Sequence, residues 1–174
     1  MRLLKKGKGG MALQKVLVID ADRCTGCRQC ELVCSYEHEG VYAPTLSRIR
    51  LVKFEDRCLN VPVVCGFCDK PPCEDVCPTG AMGQRAGQPY AVVREENCIG
   101  CKECVHACPL GAVAMHPRKG VAMRCDLCQG DPACVKVCAP GALRYEPLDA
   151  AVRQKRRARV VALGVLRSPE EEEC

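Results

Sequence analysis

Cys98-Ile99-Gly100-Cys101-Lys102-Glu103-Cys104-Val105-His106-Ala107-Cys108-Pro109 carries four cysteines at gaps of two, two and three residues, with proline directly after the last. Three thiols two residues apart can wrap one short loop around three metal atoms of a cube, and the fourth ligand must then come from elsewhere. That is the spacing of a cubane iron-sulfur site, in which the last cysteine of such a run serves the other member of a cluster pair.

Reading outward, sixteen of the eighteen cysteines in this 174-residue chain fall into four such blocks. The first is Cys24, Cys27, Cys30, Cys34, with Ser35 where proline is usual. The second, Cys65, Cys68, Cys73, Cys77, widens one gap around Pro71 and Pro72 and ends in Pro78. The fourth, Cys125, Cys128, Cys134, Cys138, has a wide gap holding Gly130, Asp131 and Pro132, and its Pro140 falls one position late. Four 4Fe-4S clusters are implied. A structural zinc site takes four ligands, usually as two separated pairs, and triplets at two-residue spacing fit a cube better. A disulfide framework fits neither the spacing nor a reducing compartment.

Aromatic residues make up 3% of the chain, with no Trp, so a large conventional hydrophobic core is not expected and clusters must substitute for it. The formal charge of +5 counts every thiol as neutral. Four thiolate-ligated cubes at about −2 each bring the loaded chain to roughly −3. The basicity behind a nucleic-acid reading is thereby lost, and no interleaved aromatics exist to stack bases. No nucleotide-binding glycine fingerprint appears, so a flavin or nicotinamide belongs on another subunit.

Neither a secretory leader nor an apolar run of membrane-spanning length is visible, which points to a cytoplasmic chain without a transmembrane segment. Residues 1–14 read as a flexible extension, and Met11 is an alternative start. Three blocks share one tail: Cys77-Pro78-Thr79-Gly80-Ala81, Cys108-Pro109-Leu110-Gly111-Ala112 and Cys138-Ala139-Pro140-Gly141-Ala142. Each predicts a helical turn stopped by proline, a glycine return and a short strand, with small residues letting amides approach sulfur.

Strands are expected at Val16–Ile19, Ser47–Phe54, Val61–Val64 and Tyr90–Val93. The fold class is α+β: two fused ferredoxin-like dicluster modules, one inserted in the other. The outer module takes residues 15–57 and 120–147, the inner one 58–119. Residues 148–174 form a C-terminal basic helix, from Leu148 to Leu166, and an acidic tail. His38 and His106 read as packing or surface residues and His116 has no metal-spaced partner. Cys58 reads as a small buried residue in a β-like stretch, and Cys174 as a free thiol.

The four-block order, the widened second block and the late fourth block resemble the four-cluster electron-transfer subunits of the dimethyl-sulfoxide-reductase iron-sulfur type, over residues 15–147. The resemblance implies exchange of fourth ligands. One cluster would be held by Cys24, Cys27, Cys30 and Cys138, and its companion by Cys125, Cys128, Cys134 and Cys34. The inner pair would be Cys65, Cys68, Cys73 and Cys108, and Cys98, Cys101, Cys104 and Cys77.

The stretch from Cys34 through Ile49 is similar to the small iron-sulfur subunits of tungsten aldehyde oxidoreductases and benzoyl-CoA reductases. What this implies is a non-catalytic subunit of a hetero-oligomer. It would relay low-potential electrons between a larger catalytic oxidoreductase subunit and a soluble ferredoxin or a flavin- or NAD-binding subunit. The carbon monoxide dehydrogenase and hydrogenase systems, whose subunits share the four blocks, and a cluster-bearing maturation factor are the alternatives.

Overall fold

The computed structural model describes residues 15–68, 70–84, 91–149 and 152. The chain divides into two compact units, one from Ile19 to Arg144 and one built from the two chain ends. Strand β1 (Lys15–Ile19) pairs with β8 (Leu143–Pro147), and the Lys15 ammonium lies 5.7 Å from the Tyr145 ring centre. The N-terminal extension and nearly all of the anticipated C-terminal helix lie outside the described residues.

The body from Ile19 to Arg144 contains all sixteen block cysteines. In chain order its elements are α1 (Gln29–Glu39), β2 (Arg50–Phe54), β3 (Leu59–Val63), α2 (Pro72–Asp75), β4 (Met82–Gln84), β5 (Ala91–Val93), α3 (Glu103–Ala107), β6 (Ala114–Met115), β7 (Ala122–Met123) and α4 (Ala133–Lys136). The strands form antiparallel pairs. Leu51 faces Pro62 across β2–β3, Met82 faces Val93 across β4–β5, and Ala114 faces Met123 across β6–β7. Helix α1 packs on α4, and α2 on α3. The helices of the first and last blocks thus meet, as do those of the middle two.

Helix lengths follow from where proline stands. Helix α3 stops before Cys108-Pro109, because the residue preceding proline is pushed out of helical geometry. Helix α1 meets no such stop, since Ser35 replaces the proline, and runs eleven residues to a left-handed Gly40 whose N–H donates to Tyr36 O at 2.8 Å. Ser35 is fully buried. Its hydroxyl donates to Leu32 O at 2.8 Å and accepts from Ala43 N at 3.0 Å, fixing the chain that leaves the helix.

The strand expected from Ser47 begins only at Arg50. The buried Ser47 hydroxyl donates to Ile49 O at 2.6 Å and accepts from Ile49 N at 3.2 Å, so it occupies backbone groups that a strand ladder would use. Cys58 also differs from expectation: it is exposed, with φ 50°, at the turn joining β2 to β3. That turn needs a left-handed residue, which places the side chain outside the packed face.

The inner core consists largely of would-be ligands. Cys73 and Cys104 are buried with Met82, Val113 and Ala122, and Cys77, Cys98 and Cys108 pack against them. Around the first and last blocks, Cys34, Leu46, Ile49, Leu51, Cys134 and Leu143 are buried. Buried Glu31 accepts Leu51 N–H at 3.0 Å, tying α1 to β2.

Candidate metal centres

The cysteine loops adopt a repeated backbone form. In the first and third blocks the second cysteine is flanked by left-handed residues, Gly26 (φ 72°) and Arg28 (φ 62°) around Cys27, and Gly100 (φ 71°) and Lys102 (φ 67°) around Cys101. Turns of alternating handedness aim successive N–H groups into one concavity, which suits an anion. A left-handed non-glycine residue costs about 1–2 kcal/mol, so the conformation at Arg28 and Lys102 must be held by what surrounds it. At Gly100 a side chain is excluded twice over, because a Cβ there would lie 2.7 Å from Gly120 O. The second block has Phe67 left-handed (φ 49°), and the fourth has Leu127, Cys128 and Gln129.

The three shared tails fold alike. Gly80, Gly111 and Gly141 donate back to the carbonyls of Cys77, Cys108 and Cys138 at 3.2, 3.2 and 3.0 Å. The amide one or two residues further on then reaches the cysteine sulfur: Met82 N to Cys77 at 3.5 Å, Ala112 N to Cys108 at 3.4 Å, and Leu143 N to Cys138 at 3.3 Å. Similar donors serve Cys34 (from Arg48 N, 3.3 Å) and Cys98 (from Ala122 N, 3.4 Å). Such bonds favour sulfur in its anionic state.

Two cavities gather cysteines from different blocks. Cys65, Cys68 and Cys73 line one together with Cys108, and Cys98, Cys101 and Cys104 line the other together with Cys77. Their empty volumes, open solvent included, are about 470 and 320 Å3. Elsewhere Cys34 acts electrostatically on Cys125, Cys128 and Cys134, and Cys24 and Cys27 on Cys30. Cys138 is positioned by its own turn, described above. No disulfide joins any of the cysteines from Cys24 to Cys138.

Burial, with repulsion from the Glu31 carboxylate and then from Cys27 and Cys24, pushes Cys30 up to about 12; burial with repulsion from neighbouring cysteines pushes Cys134 to about 12 and Cys104 to about 11. Cys125, in the same surroundings, is raised well above the ordinary thiol. Cys77 moves down: burial is the largest single effect and pushes it up, but the hydrogen bonds from Met82, Thr79 and Ala81 together outweigh it. Crowded buried sulfur anions need a cationic partner. The donor set, all sulfur with amide N–H groups aimed at it, therefore fits a thiolate-ligated iron cluster.

Two polar groups surround these sulfurs that spacing did not reveal. His38 lies between Cys34 O (2.8 Å from Nδ1) and Asp126 Oδ1 (3.0 Å from Nε2). Together with Cys128, His38 and Asp126 form a compact donor group, although Cys128 already belongs to a cysteine block and Asp126 Oδ1 already accepts its N–H at 3.1 Å. Arg124, buried, donates from Nη1 to Cys73 Sγ at 3.0 Å. Of the other histidines, His106 is exposed, whereas His116 is buried. Its Nδ1 accepts from Arg118 N and Lys119 N, and its Nε2 lies 3.4 Å from Glu39 Oε2.

Residues 57–148, just over half the chain, match the family described as 4Fe-4S dicluster domain, and residues 16–42 match a 4Fe-4S binding domain. The chain belongs to the 4Fe-4S dicluster family. Within it, the chain is 43% identical over 122 residues to the "aliphatic sulfonate oxidoreductase, polyferredoxin-like subunit" of Pyrococcus furiosus, covering 70% of each chain. It is 33% identical to the "electron transport protein HydN" of Escherichia coli, covering 82% of this chain and 97% of that one. A solved structure, the BamBC active-site complex of benzoyl-CoA reductase, matches at 28% identity with a TM-score of 0.46, covering 85% of this chain and 89% of that one. This member of the dicluster family is an iron-sulfur protein of the electron-transport kind. Among its described residues no helix is long and apolar enough to cross a membrane.

Proposed function

We infer that this chain holds four 4Fe-4S clusters and relays low-potential electrons, as a cytoplasmic non-catalytic subunit, between a larger catalytic oxidoreductase subunit and a soluble or flavoprotein partner. The observation that carries the reading is the gathering of cysteines from separate blocks around single cavities with backbone amides donating to their sulfurs. The ligand sets are Cys65, Cys68, Cys73, Cys108; Cys98, Cys101, Cys104, Cys77; Cys24, Cys27, Cys30, Cys138; and Cys125, Cys128, Cys134, Cys34. The packing of α1 on α4 and of α2 on α3 supports an inner module, 58–119, inserted within an outer one, 15–57 with 120–147.

Bound, each cluster supplies a centre that takes up and releases one electron at a time. The chain's own residues do the rest. Cysteine sulfurs hold the group, amides of Met82, Ala112, Ala122 and Leu143 hydrogen-bond to those sulfurs, and buried apolar residues such as Met82, Val113 and Leu127 limit water around them. Ferredoxin-type cubes with all-cysteine ligation work at the reducing end of the range.

The catalytic partner is of the tungsten or molybdenum aldehyde oxidoreductase or benzoyl-CoA reductase type. The similarity of residues 34–49 to small subunits of those enzymes supports this, and the naming of the Pyrococcus relative as an oxidoreductase subunit supports the coarser reading of a partner in an oxidoreductase complex. Anaerobic affinity purification tests the proposal. The expected product contains about sixteen irons and as many acid-labile sulfides per chain, bleaches with dithionite, and carries a large tungsten or molybdenum protein. Zinc without sulfide would overturn the cluster reading, and a nickel enzyme as partner would overturn the partner assignment.

A further inference from the structure

Four consecutive residues, Ala122 to Cys125, carry the chain from the inner blocks to the last one, and they address three different cysteine sets. The Ala122 amide donates to Cys98 Sγ, Arg124 reaches Cys73, and Cys125 opens the fourth block. Arg124 is the unusual member, with only 5% of its surface exposed while it lines the cavity of Cys65, Cys68, Cys73 and Cys108. Nη1 donates to Cys73 Sγ at 3.0 Å, and Nη2 to Glu74 Oε1 at 3.0 Å and Gly83 O at 3.1 Å. Nε is buried with no hydrogen-bond partner among the described residues.

Burying a guanidinium is costly unless it is paired and hydrogen-bonded, and one carboxylate that is itself partly exposed is a weak return for it. The twin cavity, lined by Cys77, Cys98, Cys101 and Cys104, has no such group. Its basic lining residue, Lys102, is exposed. Amide donors serve both cavities, so the buried cation is what distinguishes them.

We propose that Arg124 raises the reduction potential of the cluster held by Cys65, Cys68, Cys73 and Cys108, making it the member of the inner pair on which an electron comes to rest. The inference depends on the cluster assignment proposed above. One electron, supplied by dithionite in the test and by the redox partner in the complex, takes a thiolate-ligated cube from a total charge of about −2 to about −3 with no proton required. A cation in hydrogen-bond contact with a ligand sulfur stabilises the more negative state, and burial leaves that interaction poorly screened. Glu74, paired to the same guanidinium, opposes the effect. Arg124 is thus a tuning residue acting through the ligand sulfur.

The test is a potentiometric titration of the anaerobically purified, cluster-loaded chain, followed by electron paramagnetic resonance, for the parent, Arg124→Met, Arg124→Lys and Glu74→Gln. With iron and sulfide content unchanged, Arg124→Met should move one of the four reduction steps to a more negative potential and leave the other three in place. Arg124→Lys should move that step less. Glu74→Gln should move the same step in the opposite direction. A purely structural role for Arg124 cannot produce opposite shifts from two partners of one ion pair. Steps that stay put in iron-replete variants, or that all move together, overturn the inference. Should Arg124→Met lose its iron, Glu74→Gln decides alone: a positive shift of one step supports the inference and an unmoved titration overturns it. A parent chain isolated without iron would instead refute the cluster assignment itself.

Discussion

Ser35 decides how far α1 extends, although it ligates nothing. Its hydroxyl is fully buried and satisfies Ala43 N–H, and without it that part-buried amide would lose its partner. Stranding a buried donor costs about 1–3 kcal/mol. Ser35→Ala should therefore lower the urea midpoint of the loaded protein by an amount of that order while iron content stays constant. That serine stands where proline is usual was visible in the sequence. What it could not show was the partner, because Ala43 lies eight residues on. Arg124 was still less legible. A lone arginine before a cysteine carries no periodicity or spacing, and only the fold brings it beside Cys73, fifty-one positions away.

At the scale of elements, the repeated tail was readable because its parts are local: proline stops a helix, glycine turns the chain, and a small residue lets an amide reach sulfur. The structure adds that the returning amide donates to the sulfur of the same tail. Strand limits were less legible where a side chain competes with the ladder, as at Ser47, and Cys58 was misread because a turn embedded in β-like sequence leaves little trace. The cavities make a sharper forecast about which blocks cooperate. Cys108 lines a cavity with the second block and Cys77 with the third. Cys108→Ser should then abolish or alter the same paramagnetic signal as Cys65→Ser, and Cys77→Ser the same one as Cys98→Ser, each at a loss of no more than about four irons. If Cys108→Ser instead matched Cys98→Ser, ligand exchange between the blocks would be disproved.

For the whole molecule, a core built so largely from sulfur cannot outlast its iron. Cys34, Cys73, Cys104 and Cys134 are among the buried residues, and the inner core has few aliphatic side chains to replace them. Stripping the loaded protein with an iron chelator in the absence of oxygen should abolish the circular-dichroism signal of the fold in step with the visible absorption. It should also reverse the direction of electrophoretic migration at pH 7, since the formal charge without clusters is +5 whereas the loaded chain stands near −3. Iron removal that left a folded chain would show the sulfur core to be self-sufficient.

The stacked pair Tyr36 and Tyr42, with ring centres 4.7 Å apart, has an optical consequence. The chain has no tryptophan, so its ultraviolet emission must come from four tyrosines, and Tyr36 stands two residues beyond Cys34. A dark chromophore held at Cys34 drains the excited state of Tyr36 and its stacked neighbour before light is emitted. Emission from this pair should be faint in the intact protein and rise as it loses its cofactor, giving each molecule an internal gauge of oxidative damage.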